Sequence, residues 1–105
     1  MSPRAVKLSK TFNDQLIDQI DFGERRFGRR VAEQKKEKVL ATIEGLLAST
    51  PGVKRPHPTL GLVVYPVTDT PFMVLYDFTE TELRVHFVLH TSASLEDLDP
   101  KSAEW

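Results

Sequence analysis

There is no cysteine anywhere in the 105 residues. That excludes disulfides and thiolate metal sites, and it fits a reducing compartment. Apolar runs are short, and none approaches the ~20 residues needed to span a bilayer. Met1-Ser2-Pro3-Arg4 is not followed by an apolar stretch, so no secretory leader is expected and a cytoplasmic domain is. The five glycines form no phosphate-cradling loop, and no Ser-His-Asp order or acidic metal motif is present. No metal and no cofactor is therefore expected. Basic residues are scarce after residue 55, where Arg84 and Lys101 stand alone.

The hydrophobic share, 40%, is enough for one modest core and argues against disorder. One domain spanning 1–105 is expected, with 91–105 as an acidic tail. Net charge is −1 but unevenly spread: residues 1–55 hold 12 of the 14 Lys/Arg and 7 of the 15 acids, which leaves residues 56–105 acidic. Broad nucleic-acid binding usually needs a positive domain, so direct nucleic-acid binding is not expected.

Arg4 to Leu8 reads as a short strand. Thr11-Phe12-Asn13-Asp14 has the Thr-x-x-acid form of a capping box opening a helix. Phe12, Leu16, Ile17, Ile20 and Phe27 then recur at helical spacing, Asp14 and Asp18 suit the start of a helix dipole, and Gly28 ends the run. A second helix is expected from about Arg30 to Ala48, with Val39, Leu40, Ile43, Leu46 and Leu47 as its apolar stripe. Its Glu33–Lys38 stretch holds no large apolar residue, so it is solvated or faces a charged partner. Two helices joined so tightly should form an antiparallel hairpin. Pro51, Gly52, Pro56 and Pro58 make the following segment a loop.

From Leu62 the pattern turns to β. Leu62–Val67 is one strand, in which Pro66 marks an edge, a bulge or a strand end. Phe72–Phe78 and Leu83–His90 complete a meander. The expected fold is α+β in two layers, β-α-α-β-β-β, with a helical hairpin on a small, mostly antiparallel sheet. In the last strand, alternation puts Leu83, Val85, Phe87 and Leu89 towards the helices. It puts Arg84, His86, Val88 and His90 on the other face, which no remaining element of obvious size covers. Asp77 stands where it could pair with Arg84 across the hairpin.

The residues resemble the ParE/RelE toxins, and ParE-like members in particular. The likeness is carried in order by Phe12-x-x-Gln15-Leu16, Phe27-Gly28, Leu47-x-x-x-Pro51-Gly52, Tyr65-Pro66-Val67, Thr70-Pro71-Phe72-Met73-Val74-Leu75-Tyr76, Leu83-Arg84-Val85, Val88-Leu89-His90 and Asp99–Trp105. It spans nearly the whole chain. It implies the toxin of a type II toxin–antitoxin system, neutralised by a cognate ParD-like antitoxin. It further implies that ParE-type members act on DNA gyrase and RelE-type members cut messenger RNA on the ribosome.

RelE-type cleavage must activate a ribose hydroxyl, stabilise a phosphorane-like transition state and protonate a leaving oxygen. In the family, Lys and Arg on the second helix and sheet, with a late tyrosine, supply these groups. Here the sheet supplies one arginine, Arg84, the segment after the last strand reads Thr91-Ser92-Ala93-Ser94, and no tyrosine follows Tyr76. A non-catalytic inhibitor, with no catalytic residue, is the preferred reading. A RelE-like messenger-RNA endonuclease using Arg84, His86, His90 and the Lys35–Lys38 cluster is the alternative, and a toxin-like fold that has lost toxicity is a third. His86 and His90 would lie roughly 13 Å apart along one strand face, too far to share a metal directly. Arg25, Arg26, Arg29 and Arg30, clustered at the hairpin turn, are the candidate antitoxin contacts, met by an acidic antitoxin segment. Arg84, His86, His90 and Trp105 are the candidate target contacts.

Overall fold

The computed structural model describes residues 3–105; Met1 and Ser2, where the reading for a leader begins, lie outside them. The first strand, β1, is Ala5–Leu8, and helix α1 follows at once over Lys10–Phe27. The cap of α1 is Ser9, not Thr11: the Ser9 side chain accepts from Phe12 N at 2.8 Å. The helix therefore starts earlier than the Thr-x-x-acid pattern suggested, and its first turn holds no acid. Thr11 is instead engaged from outside, its Oγ1 accepting from Glu104 N at 2.8 Å.

Gly28, at φ +90°, breaks the chain between α1 and helix α2, Arg29–Ala41. A side chain at that φ would be strained, which is why glycine sits at the corner. Beyond Ala41 the helix continues through a wider turn over Thr42–Leu47, where the Ala48 N–H reaches back five residues to Ile43 O. Ile43 and Leu47 are buried, whereas Leu46, expected in the same stripe, stays exposed. Ile17 and Phe27 of α1 are exposed too.

Strands β2 (Val63–Pro66), β3 (Phe72–Phe78) and β4 (Glu82–His90) form the meander. The sheet order is β1-β4-β3-β2, with β1 parallel to β4 and the other pairs antiparallel. Pro66 thus lies on an edge strand, where its missing donor costs little. Phe12, Leu16, Val39, Ile43 and Leu47 of the helices pack on Val63, Val74, Tyr76, Leu83, Val85 and Val88 of the sheet.

The alternation expected along β4 fails at one residue. Leu75 pairs with Phe87 and Tyr76 with Val85, so His86 is a bulge with no partner of its own on β3. A bulge inserts one residue and inverts the facing beyond it. Leu83 and Val85 meet the helices as expected, but so does Val88, while Phe87 turns away to join Leu60, Leu62, Met73 and Leu75, with Leu89 packed against them. That far face is not open either. The segment after β4 folds over it and lays Ala93, Leu95, Leu98 and Ala103 on the apolar cluster.

Candidate functional site

The strap formed by residues 91–105 ends at the start of α1. Lys10 N and Thr11 N donate to Glu104 O at 2.6 and 3.3 Å, Phe12 N to Ser9 Oγ, and Ser9 N to Val85 O at 3.0 Å. All four donors that a helix start leaves free are therefore satisfied, two of them by a residue more than ninety positions away. Ser9 also donates through Oγ to His86 O at 2.6 Å, tying the helix start to the bulge. Past the end of β1 the open edge of β4 is closed by side chains: Gln15 Oε1 accepts from Val88 N at 3.0 Å and Gln19 Nε2 donates to Val88 O at 3.1 Å. Gln15 is one of the residues that carry the family resemblance, and sealing that edge is the work it does.

This scaffold brings Arg84, His86 and Trp105 together in a recess of about 230 Å³, with Lys7, Asp77 and Glu82 around them. Arg84 and Asp77 are register partners, and the guanidinium donates from Nε to Oδ1 at 2.9 Å and from Nη2 to Oδ2 at 3.1 Å. The cross-strand pairing read from the sequence is thus present, as a two-pronged ion pair. His86 sits 13% exposed with both ring nitrogens buried and unpaired; Nε2 stands 3.3 Å from Asp77 Oδ1 without hydrogen-bond alignment. The Trp105 indole meets the His86 ring edge-on, centroids 4.9 Å apart, and keeps 55% of its surface exposed.

His90 does not belong to this recess. The bulge sends it out of phase with His86, correcting the expectation of a shared face, and it is exposed at the end of β4. Its Nδ1 accepts from Ser92 N at 3.1 Å, the work of a turn. His57 does the same for Thr59 N and Leu60 N. Among the described residues no three His, Cys, Asp or Glu side chains are placed to hold one metal ion. Tyr76 is fully buried, donates to Pro51 O at 2.5 Å, and has its pKa pushed up to about 12 by burial, with Tyr65 nearby adding to the shift. It holds the loop after α2 to β3.

The hairpin presents two further surfaces. At its turn Arg25, Arg26, Arg29 and Arg30 are all exposed. The Arg26 guanidinium lies 5.7 Å from the rings of both Phe22 and Phe27, which are 61% and 62% exposed. Along its length, α1 and α2 leave a groove of about 550 Å³ floored by apolar side chains that include Leu16, Ile17 and Leu40. Its floor is drawn from the same apolar stripes that supply the core, so helical spacing alone does not mark it. Lys35 and Lys38, counted among the candidates for RNA cleavage, reach the turn before β3: Lys35 Nζ donates to Asp69 O at 3.1 Å and Lys38 Nζ lies 3.6 Å from Asp69 Oδ2. Among the described residues no helix is long and apolar enough to cross a membrane.

No protein-family model and no curated protein matches the sequence. Among solved structures, the fold is similar to that of a chain from one described as "Chromosomal ParDE TA system from P. aeruginosa". The TM-score is 0.73, the likeness covers 83% of this chain and 95% of that one, and the two are 13% identical. At that identity the likeness establishes the fold: a helical hairpin packed on a four-stranded mixed sheet.

Proposed function

We propose that this chain is the toxin of a type II toxin–antitoxin pair, of the ParE-like kind. In this reading it acts in the cytoplasm as a non-catalytic inhibitor of DNA gyrase and is neutralised by a cognate ParD-like antitoxin. The fold shared with a component of a ParDE system supports the pairing. The observation that carries the non-catalytic part is the Arg84–Asp77 pair. The one arginine of the sheet is neutralised by a carboxylate on both prongs, so it is not free to stabilise a phosphorane. One feature favours the alternative of a ribosome-dependent messenger-RNA endonuclease: an unpaired imidazole, His86, beside that arginine.

The exposed Trp105 and the accessible edges of Arg84 and His86 are the proposed target contact; His90 would touch a target only separately. Arg25, Arg26, Arg29 and Arg30 are the proposed antitoxin contacts, since acidic groups on a partner would meet four clustered guanidinium ions there.

Induction of the chain in a bacterial host, with and without the adjacent upstream reading frame, tests this reading. Growth arrest relieved by the neighbour, induction of the DNA-damage response and intact transcripts are expected. Unimpaired growth on induction would remove the toxin assignment, and cleaved transcripts would replace gyrase with the ribosome.

A further inference from the structure

The groove on the hairpin and the arginines at its turn differ in sign. The groove floor is apolar: Leu8, Leu16, Ile17, Ile20 and Leu40 line it, and Ile17 is 58% exposed although it shares the apolar spacing of α1. The rim is acidic. Asp21 and Glu24 project from α1, Glu33 from α2 and Glu44 from the wide turn that continues it, against Lys36 alone. None of the four carboxylates makes an ion pair with a described residue. An apolar trough between two antiparallel helices suits a third helix laid along it through side chains at i, i+3, i+4 and i+7. Acids on both banks select the residues flanking that stripe.

We propose that this groove takes an amphipathic helix whose apolar stripe is flanked by Lys and Arg, and that acidic partner residues are confined to the arginine turn. The inference rests on the toxin reading in taking the antitoxin as the source of that helix. It changes the expected chemistry of the antitoxin segment from acidic throughout to basic along the groove. The aliphatic stems of the lysines and arginines would extend the apolar contact while their charged heads reach the rim.

The groove is tested on the full chain with synthetic helical peptides, so the outcome does not depend on which antitoxin exists or whether the chain is toxic. Three fluorescent peptides are compared by anisotropy at low salt: a leucine stripe flanked by lysines, the same stripe flanked by glutamates, and a scrambled peptide of the first composition. The lysine-flanked stripe is expected to bind about tenfold or more tighter than the other two, an advantage that shrinks as salt screens the rim. Ile17→Asp should remove its binding. The exposed double substitution Glu24→Lys with Glu33→Lys should abolish or reverse the preference, with circular dichroism confirming that each variant is folded. Equal or tighter binding of the glutamate-flanked peptide, equal binding of the scrambled one, binding indifferent to Ile17→Asp, or no binding by any peptide would overturn the proposal. A groove that passes while induced cells grow normally would leave the groove standing and remove the toxin reading.

Discussion

The far face of the sheet and the outer face of the helical hairpin exchange the roles that their compositions suggest. The sheet face carries Arg84 and His86 and invites a reading as an open binding surface. It is instead roofed by the 91–105 strap, and its arginine is held by Asp77. The hairpin is crowded with charges and invites a reading as a solvated face, yet it keeps an apolar groove with Ile17 in the open. Counting charges along a chain does not say which of them already have partners. The strap covers the apolar part of the sheet face and leaves the Arg84–His86–Trp105 recess open at its margin, whereas the groove along the hairpin is uncovered.

Removing residues 91–105 should separate the two regions most strongly. The strap covers Leu60, Leu62, Met73, Leu75 and Phe87 with two leucines and two alanines, and it supplies the Glu104 carbonyl to α1. At about 1–2 kcal/mol for each half-buried leucine and about 1 kcal/mol for each lost hydrogen bond, the loss is on the order of 5 kcal/mol. That is comparable to the whole stability of a small domain. The truncated chain should unfold without a cooperative transition in urea, and a sharp transition at the parent midpoint would show that the strap is an accessory.

Ser9→Ala should come next, at about 2 kcal/mol in chemical denaturation. It removes a fully buried cap that also holds the bulge through His86 O. Thr11→Ala, by contrast, removes only the acceptor for Glu104 N and should cost less. Equal losses would mean that Thr11 is a cap after all.

The buried Tyr76 gives the helix-facing core a pH signature. Its pKa is raised from 10.0 to about 12, so the folded state favours the neutral phenol. That stabilisation is fully present below pH 10 and is lost as the pH rises from about 10 to about 12, by an amount on the order of 2–3 kcal/mol. Tyr76→Phe should flatten this part of the stability–pH curve while leaving Pro51 O without its donor, at about 1–2 kcal/mol at neutral pH. A curve that still falls equally in the variant would place the alkaline transition elsewhere.

The smallest effect separates structure from function at the recess. His86 buries two unpaired ring nitrogens, so His86→Phe should be neutral or stabilising by up to about 1 kcal/mol. A gain in melting temperature accompanied by loss of toxicity would mark His86 as kept for its target. A gain without loss would leave Trp105 as the contact that matters.

Much of the fold could be read directly. The strands from β1 to β4, the corner at Gly28 and the edge position of Pro66 all follow from period, glycine and proline. The bulge did not, because alternation was carried through Leu83–Leu89 unbroken. The consecutive apolar residues Phe87-Val88-Leu89 were the available sign that period 2 fails there, since both sides of the strand are buried at that point. The strap escaped because Ala93, Leu95, Leu98 and Ala103 have no helical or strand period. They are spaced by an irregular path over a preformed surface. The Thr11-x-x-Asp14 pattern points two residues too late: Ser9 Oγ takes the Phe12 N–H, and Thr11 is occupied by Glu104 N, a residue no local pattern brings to the helix start. Of the candidate target contacts, Arg84, His86 and Trp105 converge while His90 is separated by the bulge, an arrangement that no spacing rule reveals.

As proposed, this chain acts by occupying a surface and not by turning over a substrate. The most direct test is a gyrase supercoiling assay with the purified chain titrated against the enzyme. Loss of supercoiling approaching completion near equimolar ratio is expected, with no dependence on incubation time beyond binding. Full supercoiling at a large excess of folded chain would contradict it.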